Sequence, residues 1–211
     1  MATLDEKRAR LSVDYGGSRR TRKIDDQIVK ILKANCFLLI YNLVEASVRE
    51  SFRTLYASVE ADGSTVRSLR QNLRGMWVDA AVDRLRNQEG GHTSYRDVAR
   101  RLVEQAVNNG SATLRVEELR AGGNLDADNI RRACQDHGVQ TTTHPRARGG
   151  QQLRLVRQRR NDLAHGNLSF SECGRDYTLG QLLEVRHESV LFVRGILRNI
   201  ERYIARREFR A

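Results

Sequence analysis

Histidine is the side chain best suited to taking and giving a proton near neutral pH, and this chain has five. An arginine stands five residues before a histidine twice, at Arg132 to His137 and at Arg160 to His165. With 33 arginines in 211 residues, about one such match is expected by chance, so the spacing alone carries no weight. Context separates the two. The first match lies among small and polar residues on a short helix with no pattern that would bury it. The second is Arg159-Arg160-Asn161-Asp162-Leu163-Ala164-His165-Gly166-Asn167, in which an amide follows the arginine and a glycine ends the helix directly after the histidine.

Such a set could cleave RNA through its own 2′-hydroxyl. That reaction needs a base for the hydroxyl proton, a cation for charge on the phosphate oxygens and an acid for the leaving 5′-oxygen. Arg160 can supply the cation with two parallel donors, and His165 can be base or acid but not both at once. One chain is therefore a proton carrier short, and a two-fold dimer joined near this helix would complete the set. On an ideal helix the two residues lie about 140° apart around the axis. They converge only if the last turn distorts at His165-Gly166 or if they meet across chains. The helix end also favours imidazolium, which keeps an acid available. Asn161 is assigned to orientation. Arg157 and Arg159 are assigned to steering phosphate, with a solvated helix face as the alternative.

The remaining motifs argue against other chemistry. Cys134, His137 and His144 lack the paired spacing of a zinc site, and Cys173 is distant in sequence. Gly122-Gly123 and Gly149-Gly150 fall in no phosphate-loop pattern. No metal and no cofactor is expected.

The elements that must position these residues are helical. Residues 1–20 show no periodicity and read as a mobile basic tail, which leaves 21–211 as one domain. From Thr21 to Val59, apolar residues recur at three- and four-residue steps, which predicts a long helix. Its segment Cys36 to Tyr41 is apolar on every side, as in a helix that is central to the fold or shared with a partner chain. Within it Asn42, Glu45 and Arg49 share a face; they either brace the active helix or leave Glu45 and Arg49 as an intrahelical pair. Shorter helices follow, from Ser64 or Thr65 to about Arg86, from Tyr95 to Val107 and from Ile130 to His137, the last capped by Asp126. Ala112 to Leu119 is either a short strand or irregular, and 88–150 as a whole reads as a less regular insertion. Leu153 to Ala164 is the helix that carries the motif. A hairpin is expected from Leu168 to Tyr177, and Thr178 and Gln181 form a capping box that opens a final long helix. The result is an all-α bundle with long helices near its ends and shorter helices and loops between.

Composition bounds the partners. The formal charge is +11, and 33 of the 37 basic residues are arginines, which favours a polyanionic partner such as RNA. The longest apolar run, Cys36 to Val44, is far short of the ~20 residues of a membrane span, and three unrelated cysteines suit a reducing compartment. The expectation is a cytoplasmic protein without a membrane partner.

The string around Arg160 resembles the Arg-polar-x3-His signature of the HEPN superfamily, and the stretch down to Tyr203 is similar to its MAE-like prokaryotic branch. Tyr41-Asn42-Leu43-Val44-Glu45-Ala46 and Gly123-Asn124-Leu125-Asp126 carry the resemblance further, so that it covers about residues 30–205. It implies a dimeric helical domain. It also implies a metal-independent ribonuclease of the kind found in toxin pairs and phage defence, with a neutralising or activating partner protein. Other superfamily members bind RNA or a partner chain and cut nothing, which is the alternative expectation.

Overall fold

The computed structural model describes residues 10–15, 18–23, 25–88, 94–108, 112–115 and 124–211. It opens with an antiparallel hairpin, β1 (Arg10–Tyr15) and β2 (Ser18–Lys23), in register Arg10 to Lys23 and Tyr15 to Ser18. The expected aperiodic tail thus contains two strands, and the second runs through the boundary placed between residues 20 and 21.

Everything after the hairpin is helical or irregular among the described residues. The long first helix is α1 (Asp26–Ala61), whose N-cap Asp25 accepts the Gln27 N–H at 2.8 Å. A single 3-10 turn (Val66–Ser68) follows, then α2 (Gln71–Gln88) and α3 (Tyr95–Val107). The helix expected from Thr65 onward is divided because Leu69 is extended and pairs with Arg210, while the Arg70 N–H donates to the Phe209 carbonyl at 2.9 Å. The chain end thereby ties down the start of α2.

Asp126 caps α4 (Ala127–Asp136) by accepting the Asn129 N–H at 3.0 Å. Ile130 and Cys134 of this helix are fully buried, so α4, within the stretch expected to be a less regular insertion, is part of the core. A 3-10 segment (Pro145–Gly150) leads into α5 (Gln152–Ala164), which carries the Arg160 motif. The segment expected to be a hairpin is a short helix, α6 (Phe170–Arg175), because Ser169 and Glu172 form a reciprocal capping box. Gly174 lets α6 press against α1: a Cβ there would lie 1.8 Å from the Lys30 carbonyl oxygen. The final helix is α7 (Leu179–Ala205), opened by the expected Thr178/Gln181 box.

α5, α6 and α7 all pack on α1, and α7 also packs on the 3-10 segment. The core between them holds Phe37, Tyr41, Val48 and Phe52 of α1, Leu153 and Val156 of α5, and Phe192, Ile196 and Tyr203 of α7. By length and composition α1 could cross a membrane. Its buried face, covered by three helices, is that of a core helix. On the uncovered face Ile28, Leu32, Leu39 and Leu43 remain 50 to 67% exposed.

Candidate active site

Arg160 is half-buried on the side of α5 that meets α1, and its guanidinium carbon lies 4.6 Å from the centre of the Tyr41 ring. At that distance the ring face attracts the cation. Arg160 Nη1 donates to Asn161 Oδ1 at 2.9 Å, and Asn161 Nδ2 donates to Asn124 Oδ1 at 3.0 Å. Asn124 sits just before α4, where its backbone carbonyl accepts Asn129 Nδ2 at 2.7 Å. The Tyr41 hydroxyl accepts the Leu125 N–H at 3.3 Å. Three elements therefore converge on one guanidinium: α1 through Tyr41, α5 through Asn161 and the turn into α4 through Asn124.

His165 is the C-cap of α5 and is exposed. Its backbone N–H still bonds the Asn161 carbonyl at 2.9 Å, and the left-handed conformation falls one residue later, on Gly166 at φ +72°. The helix is thus regular up to the histidine, and no last-turn distortion swings His165 toward Arg160 within one chain. Its ring makes no hydrogen bond or ion pair among the described residues, which leaves both nitrogens open to a substrate or a second chain.

The two residues expected to steer phosphate are engaged within the chain. Arg157 pairs with Asp126 at 2.6 Å, and that carboxylate is only 7% exposed. Arg159 Nε donates to the Tyr177 hydroxyl at 2.8 Å, and its Nη1 lies 3.4 Å from Asp162. The Tyr177 contact raises the Arg159 pKa further above its ordinary value. Both arginines anchor α5, one to the cap of α4 and the other to the end of α6. The supporting face expected on α1 is also different. Asn42 is exposed, Glu45 and Arg49 are half-buried, and none of the three forms a hydrogen bond or ion pair among the described residues. Tyr41, one residue away, is what touches Arg160.

The rival Arg132/His137 match is split between surface and core, with Arg132 exposed and His137 buried. His137 is 1% exposed, so its short helix end is more buried than its polar sequence suggests. The Ala133 carbonyl lies 2.6 Å from Nδ1 and must accept, which places the proton there and leaves Nε2 to accept from the Tyr56 hydroxyl at 2.6 Å. Burial pushes the His137 pKa down to about 4, with the Ala133 carbonyl and Asp136 opposing. A neutral, doubly bonded imidazole has no proton to exchange with substrate.

Sequence reasoning gave no role to Tyr41 or Asn124 and gave Asp126 only that of an N-cap, although all three lie in the two segments that carried the resemblance. The available signals were an aromatic at the end of an apolar run, directly before Asn42, and an Asp in N-cap position.

Neither a curated protein nor a solved structure matches the chain. The model of the MAE_28990-like HEPN family matches it over residues 6–209, which includes every residue of the site just described. The chain therefore belongs to the HEPN superfamily, in its MAE_28990-like branch.

Proposed function

We propose that this HEPN domain is a metal-independent endoribonuclease that acts as a cytoplasmic homodimer, with Arg160 and His165 of two chains at a shared site. The observation that carries this reading is the contrast between the two motif residues: Arg160 is held by Tyr41 and Asn161, whereas His165, five positions on, is exposed and has no partner among the described residues. A restrained guanidinium is suited to charge on a phosphate, and a free imidazole at a helix end is suited to proton transfer. Asn161 orients the guanidinium.

A second copy is needed for a second proton carrier, and the uncovered stripe Ile28, Leu32, Leu39 and Leu43 on one face of α1 offers apolar surface for it. RNA as substrate is supported by the charge of +11. With Arg157 and Arg159 occupied, the phosphate contacts pass to exposed arginines without partners among the described residues, such as Arg194, Arg198 and Arg202, spaced one turn apart on α7. The biological role that fits is a toxin or phage-defence effector controlled by a neutralising or activating partner protein.

Purified wild-type and His165→Ala protein, incubated with mixed RNA with and without EDTA and followed by end-group analysis, test the reading. The expected result is EDTA-insensitive cleavage leaving 2′,3′-cyclic phosphate ends, lost in the variant. RNA that is bound but left intact by the wild type would favour the other reading, a catalytically silent module for RNA or a partner protein.

A further inference from the structure

We infer that Asn124 is a positioning residue, which sets the orientation of the Asn161 amide and through it the plane of the Arg160 guanidinium. This rests on the reading of Arg160 as the phosphate-binding cation. The argument is one of donors and acceptors. A guanidinium only donates, so the group that Asn161 turns toward Arg160 at 2.9 Å must be its carbonyl oxygen. The NH2 of the same amide then faces Asn124 at 3.0 Å, and Asn124 must present an oxygen. The orientation of both amides follows from the arginine, and each is correct only while the other is.

Asn124 is itself held from behind. Its backbone carbonyl accepts Asn129 Nδ2, and two residues on Asp126 is clamped between the Asn129 N–H and Arg157. The turn that carries Asn124 is thus pinned to both α4 and α5. The Tyr41 ring limits the guanidinium from one side and the amide pair from its edge, so the remaining N–H groups keep a fixed direction. The Asn124 NH2 makes no hydrogen bond among the described residues. The relay therefore ends in a donor on an exposed residue.

The acceptor logic gives a test that a merely structural asparagine would fail. Asn124→Asp still offers an oxygen to the Asn161 NH2. Asn161→Asp still offers an oxygen to Arg160, and Asn124 can rotate to donate to the other one. Asn124→Asp is expected to keep RNA cleavage within about threefold of wild type, and Asn161→Asp, which lies in the site itself, is expected to lose about threefold. The double variant sets two carboxylates against each other and should lose roughly thirtyfold, far beyond the product of the singles. Asn124→Leu, which offers no acceptor, should lose about tenfold with an unchanged KM trend for RNA length and an unchanged melting temperature.

The companion readout is independent of cleavage: the rotation rate of the Arg160 guanidinium, followed by side-chain 15N NMR on the full chain. Rotation should be slow in wild type and both single variants, and faster in Asn124→Leu and in the double variant. If Asn124→Leu leaves the rotation unchanged, or if the double variant equals the product of the singles, Asn124 does not position Arg160. If the wild type cleaves no RNA while the rotation rates follow the expected order, the nuclease reading fails and the positioning role stands.

Discussion

The Arg160 guanidinium lies over the Tyr41 ring at 4.6 Å, and the same tyrosine receives the Leu125 N–H on its hydroxyl. One side chain therefore serves the site with its face and the fold with its edge. The two uses can be separated by substitution. Tyr41→Phe keeps the ring and removes the acceptor, so it should cost about 1 kcal/mol of stability with little change in RNA cleavage. Tyr41→Leu removes the ring as well and should lower cleavage by roughly tenfold, the worth of a partly desolvated cation–π contact. Urea unfolding together with single-turnover rates distinguishes the two effects.

His137 gives the fold a defined acid sensitivity. Its ring is neutral when folded, with a pKa pushed down to about 4, whereas in the unfolded chain it titrates near the ordinary histidine value of about 6.5. Between those values the unfolded state binds more protons than the native one, so stability falls as pH falls through that window. The contribution is fully present above about pH 6.5, and as much as ~3 kcal/mol is lost by about pH 4. Unfolding free energies measured every half unit should show this slope. In His137→Gln the slope should vanish, on a baseline lower by about 1–3 kcal/mol from the disturbed Tyr56 bond.

Gly174 leaves no room for a side chain, since a Cβ would meet the Lys30 carbonyl oxygen at 1.8 Å. The obstacle is backbone, which cannot rotate away. Gly174→Ala should therefore push α6 off α1 and destabilise the protein by about 3 kcal/mol or more, beyond the usual range for overpacking. Gly75→Ala on α2, with nothing within 4 Å of its Cβ, serves as the control and should be neutral or slightly stabilising. Chemical denaturation of the two variants side by side checks the contrast.

The exposed stripe on α1 makes the dimer testable. Leu39 and Leu43 are 67% and 54% exposed, so replacing both with Glu costs the isolated chain little. Sedimentation should show a wild-type dimer and a monomeric Leu39→Glu/Leu43→Glu protein with an unchanged melting profile at low concentration. Cleavage should fall with the dimer. A double variant that still sediments as a dimer would move the interface to another face.

What was legible in the sequence was local. α3 coincides with its expected span, Tyr95 to Val107, because Ser94 caps it and the run of asparagines stops it. α7 opens where Thr178 and Gln181 said it would. α6 was misread because six residues offer too little periodicity, although its Ser-x-x-Glu box was present at Ser169 and Glu172. The site divides in the same way. Arg160 and Asn161 on α5 and His165 at its C-cap fall within one short string, and their prominence follows from the string itself. The partners that decide what neighbouring residues do are far away in the chain: Asp126 for Arg157, Tyr177 for Arg159, Tyr41 and Asn124 for the motif. A basic helix face looks solvated or substrate-binding until its tertiary ion pairs are known, and no periodicity encodes them.

Asp126 has two duties, capping α4 through the Asn129 N–H and holding Arg157 of α5. Neither can be given up alone. If the first turn of α4 opens, the carboxylate loses its place, Arg157 is released and the turn bearing Asn124 comes away from Asn161 in the same event. The site and the first turn of α4 are therefore expected to open together, as one local unit. Amide exchange in the first turn of α4 would then report how often the guanidinium is out of position, and the domain would lose its competence under mild stress while its long helices were still intact.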